Sequence, residues 1–190
     1  MLTKQAKTLS EAQSKAVLAH LSSTKHPIRN AAMFLLSVDA GLRATEIAAL
    51  EWSMITDAEG CLTDAIRLED RASKGRSGGV VYMSTRLRKA LSDYMAEART
   101  KEGIVFLSQY RKPMSAQVIV NWFFGTYRAL GFTGCSSHSG RRTAITRWAR
   151  KITAVGGSLR DVQALARHSS LQMTQRYIEV SEDAMRKVVG

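Results

Sequence analysis

Gly41-Leu42-Arg43-Ala44-Thr45-Glu46 sets an arginine just past a helix stop, in the first turn of the next helix. There, backbone N–H groups and a guanidinium can converge on one anion. Glu46 lies three residues on, within reach to orient Arg43. The alternative is a capped helix start carrying a surface ion pair. His138-Ser139-Gly140-Arg141 sets a histidine at a second helix mouth, with Ser136, Ser137 and Ser139 suited to cap it. Arg141, Ile145 and Trp148 recur at i, i+4 and i+7, so Arg141 shares the inward face. A cation there needs a partner, either an internal carboxylate or a phosphate. Farther on, His168 closes a helix, and Ser169 with Gln172 reads as a capping box opening the next, in which Tyr177 falls late. Taken alone, His168 is a helix C-cap favoured by the macrodipole, and Tyr177 a half-buried core aromatic with a hydrogen-bonded hydroxyl. Lys74 belongs to a basic turn, Lys74-Gly75-Arg76-Ser77-Gly78-Gly79. It is either a solvated loop cation or a mobile one that reaches into a groove or donates a proton.

Several chemistries are missing from the sequence. There is no GxxxxGK loop to cradle a nucleoside triphosphate and no GxSxG elbow. The 16 carboxylates are scattered without a DxD or ExxH cluster, which weighs against a two-metal nuclease. Cys61 and Cys135 stand alone, so neither a disulfide scaffold nor a zinc ribbon is expected, and no metal site. Lys and Arg number 28 against 16 Asp and Glu, for a net charge of +12. Such a field draws polyanions, and nucleic acid is favoured over an acidic membrane or mere solubilising charge. The cations run from Lys4 to Lys187 without a basic tail, so they belong to a folded surface.

These groups must be carried by mostly helical elements. The 190 residues, 45% of them hydrophobic, suffice for one compact domain. No apolar run is long enough to span a bilayer, and the N-terminus has no apolar signal-like stretch, so a reducing, cytosolic setting is expected. Helices are predicted over Leu9–Leu21 (N-cap Ser10, capping box with Gln13), Asn30–Ala40 (ended by Gly41) and Ala44–Leu50. Further helices are predicted over Thr85–Arg99, Ser115–Leu130, Ser139–Ile152, Leu159–Ala166, Ser170–Glu179 and Glu182–Val189. Ala65–Leu68 and Val80–Met83 read as strands of a hairpin around the Lys74 turn, with a short strand before them near Met54–Thr56. The expected class is mainly α with a small antiparallel β-sheet (α+β).

Taken in order, four segments resemble the tyrosine recombinases, or phage integrase family. They are GLRATEIAALEW at Gly41–Trp52, the hairpin lysine Lys74, HSGRRTAITRWA at His138–Ala149 and ARHSSLQMTQRYIEV at Ala166–Val180. The resemblance implies the catalytic-domain fold of that family, a DNA breaking-rejoining fold. It implies a site-specific recombinase or integrase acting on double-stranded DNA through a 3′-phosphotyrosyl intermediate, without metal, cofactor or ATP. Tyr177 would then be the nucleophile, with Arg43 and Arg141 on the non-bridging oxygens and Lys74 protonating the departing 5′-oxygen. His138 would assist proton transfer at the tyrosine, His168 would add a hydrogen bond to the phosphate, and Glu46 would hold Arg43. Arg76, Arg142 and Arg167 are further candidates for DNA-phosphate contacts. A phenol of pKa ~10 needs a neighbouring base to become a nucleophile at neutral pH. Fixed guanidiniums stabilise the extra charge of the phosphorane.

The same resemblance implies a monomer in the free state and a tetramer on DNA, in the cytoplasm at the nucleoid and away from membranes. Two other readings stand beside it: nicking and closing in the manner of a type IB topoisomerase, and a catalytically silent DNA-binding module. Retention of all six groups argues against the silent module. Two departures from the family pattern are Gly140 in place of a leucine and Arg167 in place of a glycine. Arg43 arrives after only 42 residues, so the expectation is a single catalytic domain over residues 1–190 without the separate helical domain that usually precedes it. In that expectation residues 1–30 are an N-terminal helix and linker. Residues 181–190 are a C-terminal helix, either exchanged between protomers or docked on its own domain.

Overall fold

Ser10 opens helix α1 (Glu11–Ser22) through the predicted capping box. Its hydroxyl accepts the Gln13 N–H at 3.1 Å, and the Gln13 side chain accepts the Ser10 N–H at 2.9 Å. The computed structural model describes residues 5–72, 78–98, 100–178, 185, 186 and 189. It divides into two compact units, Met1–Ala144 and Ile145–Gly190.

In the first unit, α2 (Pro27–Val38) starts three residues before the predicted Asn30, because Pro27 is preset for a first helical turn. From Ala32 to Val38 every residue is buried, which makes α2 the centre of this unit's core. Gly41, at φ 63°, turns the chain into α3 (Ala44–Ala48). The strand expected near Met54–Thr56 does not form. A 3-10 turn, Trp52–Met54, closes instead through Met54 N–H to Glu51 and Ile55 N–H to Trp52. That winding buries Trp52, Met54 and Ile55 in one core. Thr56 keeps only an isolated bridge to Leu62.

Strands β1 (Ala65–Leu68) and β2 (Gly79–Tyr82) pair antiparallel, Ile66 opposite Val81 and Arg67 opposite Val80. Ile66 and Val81 face the core, while Arg67, Val80 and Tyr82 are exposed. Gly78 donates its N–H to Asp70 Oδ1 at 3.0 Å, and a Cβ on Gly78 would lie 2.5 Å from the Leu68 carbonyl oxygen, so only glycine fits. Lys74 and Arg76 fall in residues 73–77, outside the described residues.

Helices α4 (Thr85–Glu97) and α5 (Ala116–Ala129) are capped by Ser84 and Ser115. Asp39, at the end of α2, holds the start of α4: its buried carboxylate accepts from Ser84 Oγ at 2.6 Å and from Arg86 Nε and Nη2 at 2.6 and 2.5 Å. Helix α6 (Ser139–Lys151) begins in this unit and ends in the second.

The second unit continues through a 3-10 turn (Ile152–Val155), α7 (Leu159–Ala166) and α8 (Leu171–Gln175). Ile145, Val162 and Ala166 form its buried centre, with Trp148, Ile152, Leu159 and Tyr177 packed around them. Helix α7 matches its predicted bounds, whereas α8 stops at Gln175, well short of Glu179. Of the predicted helix Glu182–Val189, only Met185, Arg186 and Val189 are among the described residues. The fold is thus mainly α with a small two-stranded antiparallel sheet.

Candidate active site

The first unit assembles Arg43, Glu46, His138 and Arg141. Glu46 clamps Arg43 at two points: one carboxylate oxygen takes the Arg43 main-chain N–H at 2.8 Å, and the other takes the guanidinium at 2.6 Å. The Glu46 side chain is 0% exposed and that of Arg43 21%, so this is an internal pair with its cation still in reach of solvent. The surface-pair alternative is thereby removed. Arg141 is 3% exposed and donates from Nη1 to the Gly41 carbonyl at 2.6 Å, which ties it to the turn that carries Arg43. A short segment, Gly41 to Glu46, therefore fixes both arginines.

His138 stands at the mouth of α6, as predicted: its carbonyl accepts the Arg142 N–H at 2.9 Å. The serines around it tie up the turn in both directions: Ser139 Oγ accepts the Ser136 N–H, and Ser136 Oγ accepts the His138 N–H. Partial burial of the ring, then the charges of Arg141 and Arg43, hold the His138 pKa below its ordinary value. The imidazole is therefore neutral at neutral pH and able to take a proton. Gly140 explains itself by contact with α2. A Cβ there would sit 2.2 Å from Ser37 Oγ, 2.8 Å from Ser37 Cβ and 3.1 Å from its backbone carbon, so a leucine cannot enter without moving the helix. Arg142, in the first turn of α6, hydrogen-bonds the Gln5 side chain.

The second unit assembles His168 and Tyr177. The residue that caps the end of α7 is Arg167, not His168: Arg167 takes the left-handed conformation (φ 53°, ψ 47°) usual for glycine at a helix end. The Arg167 N–H bonds the Ala164 carbonyl at 3.0 Å, and the His168 N–H the Gln163 carbonyl at 3.1 Å. Gln163 Nε2 also donates to the His168 carbonyl at 3.1 Å, so the His168 peptide is held from both sides. Arg167 is buried to 8% exposure. The capping box expected of Ser169 and Gln172 does not form. Ser170 is the N-cap of α8, and Ser169 Oγ instead meets Met173 Sδ at 3.4 Å. His168, itself buried, stacks on Tyr177 with ring centroids 5.4 Å apart and 23° between planes. Its Nδ1 lies 2.9 Å from Thr174 Oγ1. The Tyr177 N–H bonds the Thr174 carbonyl at 3.0 Å. Thr174 escaped the sequence reading; its place one helical turn before Tyr177 was the available signal.

No cluster of three His, Cys, Asp or Glu side chains able to hold a metal ion occurs among the described residues. None of their helices is long and apolar enough to cross a membrane.

The profile of the phage integrase family matches residues 7–183. Tyrosine recombinase XerC 2 of Ralstonia nicotianae is 25% identical over 186 residues, 95% of this chain and 51% of the relative. Tyrosine recombinase XerC of Chlamydia caviae is 28% identical over 160 residues, 80% of this chain and 47% of the relative. The chain spans about half the length of the curated relatives it matches. Among solved structures, the XerA recombinase superposes with a TM-score of 0.73 at 22% identity, covering 99% of this chain and 64% of that one. The Tn1549 transposon integrase in complex with a circular intermediate DNA superposes at 0.76 and 18%, covering 99% and 66%. At these identities the two structures speak for the fold.

Proposed function

The chain belongs to the phage integrase family, and on that premise we propose that it is a site-specific recombinase cleaving and rejoining double-stranded DNA through a 3′-phosphotyrosyl bond. The arrangement that carries this reading is the pair of fixed guanidiniums, Arg43 and Arg141, with His138, its pKa lowered by partial burial, close enough for their charges to lower it further. In the proposed step the Tyr177 phenol loses its proton to His138, and its oxygen attacks the scissile phosphorus. The bond from phosphorus to the 5′-oxygen breaks, and that oxygen takes a proton from Lys74. Arg43 and Arg141 balance the charge that accumulates on the non-bridging oxygens, and His168 donates a further hydrogen bond. Because the phosphotyrosine conserves the energy of the diester, a 5′-hydroxyl can reverse the step without ATP, and the reading assigns no metal or cofactor.

In the same reading residues 1–190 act as a catalytic domain, monomeric when free and tetrameric on DNA, in the cytoplasm at the nucleoid. The basic surface, at net +12, suits this polyanionic partner. Nicked suicide duplexes in EDTA, resolved on a denaturing gel, test the chemistry. A slow-migrating adduct is expected, and Tyr177→Phe should abolish it while leaving DNA binding intact. An adduct that persists in Tyr177→Phe would refute the assignment and turn attention to Tyr110, which is 76% exposed. Tyr127 is a poor substitute, since burial and then Cys135 hold its phenol far above the ordinary pKa. Two distinct duplexes yielding recombinant products would separate strand exchange from nicking and closing.

A further inference from the structure

Thr174 contributes two different atoms to the two reacting groups of the second unit. Its hydroxyl oxygen is 2.9 Å from His168 Nδ1, and its carbonyl accepts the Tyr177 N–H at 3.0 Å. The residue is 0% exposed, so its hydroxyl is a structural partner rather than a solvated one. The imidazole it meets is also confined by the Tyr177 ring at 5.4 Å and by a main chain that Gln163 holds at both peptide groups.

We propose that Thr174 is a positioning residue that engages His168 Nδ1, fixing the ring's tautomer so that Nε2 is the nitrogen presented to the scissile phosphate. The inference rests on the reading of His168 and Tyr177 as reacting groups. A histidine ring has two chemically distinct nitrogens, and the bond made by one decides what the other can do. A hydroxyl can donate to a bare Nδ1 or accept from a protonated one, so the bond alone leaves two arrangements. For a neutral His168 to donate to a phosphate oxygen, Nε2 must carry the proton, and Nδ1 must then accept from Thr174. Without that bond nothing on the Nδ1 side would select the tautomer, and only part of the population would carry its proton on Nε2.

The test is made on the full chain and has two readouts. Two-bond proton–nitrogen spectra, with the ring assigned by loss in His168→Gln, report the tautomer of His168 without reference to activity. The wild type should show one dominant tautomer with the proton on Nε2; a rapidly averaging ring or a proton on Nδ1 would overturn the proposal, even if both Thr174 variants failed to fold. Thr174→Val keeps the shape and removes the hydroxyl, and should convert His168 to a tautomer mixture. It should also slow suicide-substrate cleavage by roughly 10- to 100-fold, the scale of a small misplacement of a reacting group, with DNA affinity unchanged. Thr174→Ser restores the hydroxyl and should recover most of both signals. If the wild type forms an adduct and Thr174→Val cleaves at the same rate, the positioning role is wrong while the function stands. If the wild type forms no adduct, the function fails and takes the role with it.

Discussion

Arg43 and Arg141 are held by a buried carboxylate and a backbone carbonyl in a unit whose core runs from Leu9 to Tyr127. His168 and Tyr177 are held by a hydroxyl, a ring stack and helix-end hydrogen bonds around a centre of Ile145, Val162 and Ala166. Full charges buried on a large core fix a geometry firmly, at the cost of desolvation. A small core allows local opening at lower free energy. The division suits the two tasks proposed for them: a phosphate clamp works best preset, whereas a nucleophile has to leave its ring stack when its oxygen bonds phosphorus.

The sharpest way to break this contrast is Glu46→Gln. Breaking a buried pair typically costs ~3–5 kcal/mol, and the partial exposure of Arg43 should bring the loss to roughly 2–3 kcal/mol. Denaturant unfolding reads it, and cleavage should fall by about 100-fold through the loosened Arg43. A variant with unaltered stability and rate would mean that the clamp is no more than decoration. Thr174→Val, by contrast, removes one neutral hydrogen bond and should cost only about 1 kcal/mol.

Gly140→Ala probes the first unit through packing rather than charge. The added methyl meets Ser37 Cβ and backbone, so an overpacking loss of about 1–3 kcal/mol is expected by the same unfolding measurement. Pairing it with Ser37→Gly should recover part of that loss. Additive losses in the double variant would show that the helices do not meet there.

The smallest effect concerns pH. His138 has its pKa lowered from the ordinary 6.5, so on acidification the unfolded chain takes up its proton first. The folded state consequently loses stability as pH falls below 6.5 toward the folded pKa, and is unaffected by this group above 6.5. Cleavage should likewise decline on the acid side only once the pH drops below 6.5, as the imidazole charges. His138→Gln should remove that limb of the profile; if the limb survives, a different group takes the proton.

Much of the chain could be read from local patterns. Ser10 with Gln13, the bounds of α7 and the pairing of Ala65–Leu68 with the segment ending at Tyr82 all rest on short-range hydrogen bonding and periodicity. Two readings failed for different reasons. Trp52–Met54 winds into a turn whose large side chains join the core of the first unit, and Ser169 is passed over locally, since Arg167 ends α7 left-handed and Ser170 takes the N-cap of α8. In the candidate site, the order of Arg43, His138, Arg141, His168 and Tyr177 along the chain was enough to propose the residues. Their partners were not. That Glu46 is buried, that Gly140 is a space left for Ser37, and that Thr174 faces His168 depend on which surfaces meet. Sequence spacing sets what can lie on one turn of one helix. Close packing between segments far apart in the chain decides which polar atom loses its water and must find a partner.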